Sequence, residues 1–540
     1  MATDRCRVAG NGASTSRGVA TALGVPCGST PRSAPLWSRS RAWHGLDPWF
    51  EVWHPPRGAD VIGTIPRRER AVLLARPARR PKLQCVSNPM GSRNLNKDGE
   101  LKTLASYAQR SMWSFALRYR SASLNEITIP YRVRGPLRVG AMEDALTDLI
   151  ERHPTLRAVL HYERGQLFQV VLPAQRITLP LAPVEGSTAE ERLEAVRAAL
   201  TSNDRPAVNV ISGPSTLARL WRLGEDDHVL CLQVHHAMCD GWSTGVMMRE
   251  LMLMYEARVD GSRAELPRLV QQYADVAQWE IETYESGGFA EEIEYWQGEL
   301  ADPPPAIALP TKGVRKGNRD WRAHLEHVER PPHEHQGLRD FSKHLRVSPF
   351  SLFLSALAVL LRHRTGSEDQ LIGVPTLNRW SEEAMKFVGY ATSLMPVRLR
   401  PHGGLGFDEL CHRVQASTRM MLACGRVPLE VLMRETPLVP SGNTVFRIWC
   451  QYIDGSAAGA PLSARGLQFI PVSTDRHSML SELDLDLFGS DDGLRCEFSY
   501  RPCLFEAQDV RAMMSDFLLI LQSAQAHPSL TVDELARRLN

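Results

Sequence analysis

The 540-residue sequence predicts an α/β protein of two successive lobes, and three observations carry that prediction. Val229 to Val234 form an unbroken apolar, β-branched run without Gly or Pro; beyond a polar turn, Val246, Met247, Glu250, Leu251 and Tyr255 recur at three- and four-residue steps. That is a buried strand, a turn and a helix. A helix-to-strand succession also occurs twice, once around residues 139–160 and again around 348–375. Finally, ELDLDLF and LRCEFSYRPCLF alternate like paired strands.

Residues 1–95 stand apart from this pattern. Rich in Arg, Pro, Ser, Gly and Ala, they hold no long helical or strand period and read as a disordered extension. Residues 1–90 carry 14 Lys and Arg against 5 Asp and Glu, so the formal charge of +2 conceals a basic extension on an otherwise acidic chain. A nucleic-acid arm and an Arg- and Ser-rich transit peptide compete with this reading, as does translation starting at Met90, where composition changes abruptly. No apolar run reaches the roughly 18–20 residues of a membrane helix. Ten cysteines without a CxxC pair read as reduced thiols of a cytoplasmic protein.

The first lobe, residues 100–268, opens at SYAQRSMW, Ser106 to Trp113. Ile129–Val133 read as a strand and Val139–Arg152 as a helix with Leu146, Leu149 and Ile150 on one face, followed by ERHPTLRAVL, with His153 and Arg157, leading into a strand. The second lobe, residues 269–540, starts with QQYADVAQWE and an acidic helix through Glu291, Glu294, Tyr295 and Trp296, then crosses the irregular ADPPPAIALP. Ser348 and Pro349 begin an almost wholly apolar helix that stops at Gly366, and GSEDQLIGVP supplies a buried strand.

Chemistry concentrates in the turn His235, His236, Ala237, Met238, Cys239, Asp240, Gly241, with Ser243 placed to cap the next helix. Its position between strand and helix lets a side chain project into a cavity, and Gly241 admits close backbone approach. A metal site is disfavoured, because no third Cys, His or carboxylate lies nearby at ligand spacing. A purely structural histidine pair would bury two imidazoles beside a charged Asp, which is costly.

The turn resembles the HHxxxDG signature of the condensation domains of nonribosomal peptide synthetases, within the superfamily typified by chloramphenicol acetyltransferase. SYAQRSMW resembles the first motif of that family, ERHPTLRAVL the second, and Tyr273, Asp275 and Trp279 fill the YxDxxxW positions of the fourth. FVGYATSLMPVRLR is similar to the fifth, with Ser393 in place of the usual Asn and Ala391 in place of a large residue; GRVPLEVL keeps the Pro and Glu of the sixth. Around GNTVFRIWCQY the seventh is weak, and Ala507–Ala524 resembles the closing helix. The resemblance covers about residues 100–540 and is looser in the second lobe.

It implies two chloramphenicol acetyltransferase-like lobes in a V-shaped pseudo-dimer, with His236 midway along a channel between them. Donor and acceptor peptidyl carrier proteins, acting in trans, would bring phosphopantetheine-tethered thioesters to the two mouths, with a small-molecule amine as another acceptor. No cofactor, metal, nucleic acid or membrane is implied. An imidazole of near-neutral pKa suits the proton an attacking amine must lose, so His236 is the candidate base. Asp240 is better used as a buried ion-pair partner, and the resemblance points to Arg379 as its cation. An amide near Gly241 is the candidate oxyanion donor. His235, Arg157 and Trp242 are expected to support. Trp242 and Ser243 after the turn disfavour an epimerase-like relative, and the histidine pair disfavours a cyclising one. Nothing resembles an adenylation or carrier domain, so a free-standing enzyme is expected. An acyltransferase esterifying an alcohol from acyl-CoA or a carrier-bound thioester, and a non-catalytic carrier-docking scaffold, remain the rival readings.

Overall fold

The computed structural model describes residues 101–539 except 119–125, 203–205, 316–319, 441–443, 455–461 and 474–477. The expected extension over residues 1–95 and the Met90 start lie outside the described residues.

The first lobe is assembled on β7 (Asp227–His235), which is flanked by β2 (Glu126–Arg134) and β6 (Thr216–Gly224), both antiparallel to it. Every residue of β7 from His228 to His235 is buried, as expected for a strand covered on both faces. Helices α1 (Tyr107–Arg118), α2 (Val139–Arg152), α3 (Ala189–Thr201) and α4 (Gly241–Val259) belong to this half. The predicted helix over 139–152 forms at those bounds and buries Met142, Ala145, Leu146, Leu149 and Ile150. Each large apolar side chain so buried contributes about 1.5–3 kcal/mol. Tyr255 of α4 accepts the Arg138 amide at the start of α2, fastening the two packed helices at one end.

A separate three-stranded sheet joins β1 (Leu101–Leu104), β4 (Gln166–Val171) and β3 (Ala158–Glu163). The second lobe carries a six-stranded sheet in the order β10 (Ser393–Leu399), β9 (Gln370–Thr376), β11 (Ile448–Asp454), β14 (Leu483–Ser490), β15 (Gly493–Tyr500), β8 (His324–Arg330). The expected β14–β15 pair runs antiparallel in register from Leu483↔Tyr500 to Ser490↔Gly493.

Two helices join the halves, α5 (Tyr273–Glu285) and α6 (Ala290–Glu299), and α7 (Pro332–His344) follows β8. Next comes α8 (Pro349–Thr365), in which every side chain from Phe350 to Leu361 is buried. Ser348 Oγ accepts the Ser351 amide at 3.1 Å, Pro349 begins the helix, and Gly366 ends it at φ +71°. The chain continues through α9 (Phe407–Ala423), α10 (Leu429–Glu435), α11 (Ala507–Ala526) and α12 (Val532–Ala536).

Two expectations are corrected. Ser243 does not cap α4: the cap is Asp240, whose carboxylate accepts the Ser243 amide, and Ser243 lies within the first turn. The lobe boundary at 268/269 also fails for one element. The hairpin β12 (Leu462–Ala464) and β13 (Leu467–Pro471) adds to the first-lobe sheet, whose order is β12-β13-β2-β7-β6-β5, where β5 is Leu181–Ala182. Both strands are short, and β13 pairs with β2 through Phe469↔Val133, far away in sequence.

Candidate active site

Where β7 ends, a single 3-10 turn, His236–Met238, turns the chain into α4. The site therefore sits off the carboxyl end of a central strand. His235 is 2% exposed, and its Nδ1 accepts the Ala237 amide at 3.2 Å. Burial, with the neighbouring His236, pushes its pKa down to about 3. The ring is thus neutral near pH 7 and shapes the turn. His236 is only half-buried, and its ring meets that of Tyr390 edge-on, with centroids 5.2 Å apart and planes at 75°.

Asp240 is wholly buried and saturated with donors. Oδ1 accepts from the Ser243 amide (2.8 Å), Ser243 Oγ (2.6 Å) and Arg379 Nη2 (3.1 Å). Oδ2 accepts from Arg379 Nη2 (3.1 Å), the Ala391 and Thr392 amides (3.0 and 3.2 Å) and Thr392 Oγ1 (3.2 Å). Burial alone would raise the pKa of this carboxyl, but the Arg379 charge and the Ser243 donors outweigh it and hold the group below its ordinary value. Arg379 Nη1 donates in turn to the carbonyls of Ala384 (2.6 Å) and Phe387 (2.9 Å) and Nη2 to that of Gly389 (3.1 Å), and its guanidinium lies over the Phe387 ring at 4.1 Å. Trp242 Nε1 donates to the Met385 carbonyl at 2.8 Å, pinning the segment that follows Arg379.

The remaining expected residues are placed as follows. Gly241 is the first residue of α4 and is not among the glycines with positive φ, so it supplies no special backbone conformation. Its amide lies at a helix N-terminus, where the peptide dipoles favour negative charge. Arg157 ends the 3-10 turn Pro154–Arg157, and among the described residues it makes no hydrogen bond to the His235–Gly241 turn. Burial lowers its pKa. In that segment it is Arg152 and His153 that reach α4, both binding Glu250 at 2.8 Å. Among the described residues no group of three His, Cys, Asp or Glu has the geometry to hold a metal.

Sequence reasoning missed the contacts that close the site, within the first lobe and between the lobes. Gln109 of α1 donates to the Ala237 carbonyl at 3.3 Å. Tyr273 Oη donates to the Tyr390 carbonyl at 2.6 Å and lies 2.7 Å from Ser106 Oγ. Gly389 is required where it stands, since a Cβ there would fall 2.4 Å from Tyr273 Cγ. The glycine in FVGY was the available signal, but its partner is far distant in sequence.

Two α/β lobes meeting over an HHxxxDG turn define the chloramphenicol acetyltransferase-like fold. The model of the condensation domain matches residues 100–537, and the chain belongs to that family. It is 28% identical over 443 residues to one of the linear gramicidin synthase proteins of Brevibacillus parabrevis, covering 82% of this chain and 6% of that one. To phosphinothricin tripeptide synthetase PhsC of Streptomyces viridochromogenes it is 28% identical over 436 residues, covering 78% of this chain and 39% of the relative. The chain thus spans a minor part of these relatives. Among solved structures, the X-domain from teicoplanin biosynthesis superposes with a TM-score of 0.72 at 22% identity, over 81% of this chain and 97% of that one. The first condensation domain of the calcium-dependent antibiotic synthetase gives 0.66 at 20%, over 80% and 98%. Among the described residues no single helix is long and apolar enough to cross a membrane.

Proposed function

We propose that this chain forms an amide bond between a carrier-bound acyl or aminoacyl thioester and an amine acceptor. The observation that carries this reading is the division of labour within the turn. Asp240 has its lone pairs occupied and Arg379 as counter-ion, and His235 is buried and spends Nδ1 on a backbone amide. His236 is the half-buried ionisable side chain of the turn, at the strand end. The acceptor nitrogen attacks the thioester carbonyl, His236 takes the proton lost by nitrogen, the C–S bond breaks, and the phosphopantetheine sulfur leaves as a thiolate that recovers that proton to give the free thiol. Holding both tethered reactants in line supplies several kcal/mol more. Helix dipoles at the start of α4 favour the developing oxyanion near Gly241.

On this reading the partners are donor and acceptor peptidyl carrier proteins, with a free small-molecule amine as another acceptor; the chain holds no cofactor of its own and works in the cytoplasm. A second reading is ester formation from an acyl-CoA and an alcohol; the likeness to the starter condensation domain of rhizomide synthetase, solved in complex with C8-CoA, bears on its acyl-CoA donor. The test supplies the protein with panels of loaded donor carriers and amine acceptors, beside acyl-CoA and alcohols, and identifies products by mass spectrometry. Amide product from carrier thioesters supports the proposal. Turnover only with acyl-CoA and alcohol moves the protein to the ester-forming class, and carrier binding without product makes it a docking scaffold.

A further inference from the structure

We propose that Tyr390 is a positioning residue that fixes the tilt of the His236 ring, and that Tyr273 locks Tyr390 in place; this rests on the reading of His236 as the proton acceptor. Tyr390 is buried and packs edge-on against the His236 imidazole. Its backbone is held on both sides. Before it, the Gly389 amide donates to Ser243 Oγ (3.1 Å) and the Gly389 carbonyl accepts from Arg379 Nη2 (3.1 Å). After it, the Ala391 and Thr392 amides are bound to Asp240. At the residue itself, the Tyr390 carbonyl accepts Tyr273 Oη at 2.6 Å.

Tyr273 is fixed in its turn. Its ring fills the space a Cβ on residue 389 would need, and its hydroxyl also meets Ser106 Oγ. The ring beside His236 therefore hangs on a main chain with little freedom, anchored at one end by the HHxxxDG turn and at the other by α5. An edge-to-face aromatic pair has a preferred angle, so a fixed Tyr390 imposes an orientation on the imidazole. This matters because a general base must point its lone pair at a proton within hydrogen-bond reach. Since His236 comes from the first lobe and Tyr390 from the second, the geometry of the base depends on the junction between them. Asp240 then has a second effect besides neutralising Arg379: it holds the segment that carries the orienting ring.

The test uses the full chain with 15N-labelled histidine, His236→Asn serving to assign the His236 signals, together with steady-state amide formation. Tyr390→Leu should change the Nδ1 and Nε2 shifts of His236 and lower kcat by about 10- to 100-fold with KM within about twofold of the parent, the scale of a misplacement near the reacting atoms. Tyr390→Phe, which keeps the ring, should recover the parental His236 signals and most of the lost kcat. Tyr273→Phe should shift the His236 signals in the same sense as Tyr390→Leu, and carries the test alone if Tyr390→Leu does not fold. Unchanged His236 signals in folded Tyr390→Leu, or in Tyr273→Phe where that variant stands alone, overturn the proposal, as does a rise in KM with kcat intact. If the parent protein makes no amide, the proposed function fails, whereas the histidine spectra still decide whether Tyr390 sets the ring.

Discussion

A carboxylate with no solvent contact stays charged only if its surroundings replace water, and Asp240 shows the replacement in full: one guanidinium, three amides and two hydroxyls. Removing it strands Arg379 in the interior, so Asp240→Ala should cost about 3–5 kcal/mol, read from the denaturation midpoint, and lose activity with it. A variant as stable as the parent but inactive would instead put Asp240 in the chemistry. His235 makes a different prediction. Its folded pKa of about 3 lies below the ordinary 6.5, so below pH 6.5 the unfolded chain binds a proton that the folded one refuses. Stability contributed by the neutral ring is present above pH 6.5 and is lost as pH falls toward 3. His235→Gln should flatten the fall in melting temperature over that window; an unchanged acid limb would show that His235 is not the group responsible. Asp240 and both histidines were legible as a motif, whereas Arg379 came only through resemblance, because nothing local in NRWSEE marks a buried cation.

At the scale of elements, α1, α5 and α10 meet around a buried carboxyl that the turn does not use. Glu280 is 6% exposed, and burial, reinforced by Glu430 and offset in part by Arg110, raises its pKa to about 8. Glu430 is raised by burial as well, though Ser111 Oγ donates to it at 2.6 Å. The sign follows from the proton count: the folded state keeps a proton on Glu280 that the unfolded chain releases above its ordinary 4.5, so stability is fully present below pH 4.5 and declines as pH rises toward 8. Glu280→Gln, neutral at every pH, should raise the melting temperature at about pH 8–9 relative to the parent and leave it nearly unchanged near pH 5. An equal shift at both values would contradict the assignment. Helix periodicity made α2 legible to the residue, and Ser-Pro and Gly marked both ends of α8. The start of α4 was misread because Ser and Asp are both good caps, and only the structure shows that the Asp240 side chain takes the Ser243 amide.

Across the whole molecule, the ties between the halves include the Asp240–Arg379 pair, the Tyr273 hydroxyl between Ser106 and Tyr390, and the β13 strand that pairs with β2. The two-lobe α/β class was legible from alternating strands and helices, but these ties join residues far apart in sequence and leave no periodic trace. Since the family match starts at residue 100, deleting residues 1–89 should leave the melting temperature and turnover unchanged, checked by thermal denaturation and the amide assay; a clear loss of either would make that segment part of the working protein. The central claim is that His236 handles the proton of an amide-forming reaction, and the most direct measurement is the rate of amide formation by His236→Ala from donor and acceptor carriers loaded with their thioesters. The account predicts a folded protein of parental melting temperature whose rate falls by roughly 10²- to 10⁴-fold. A folded His236→Ala that forms amide at the parental rate would contradict it.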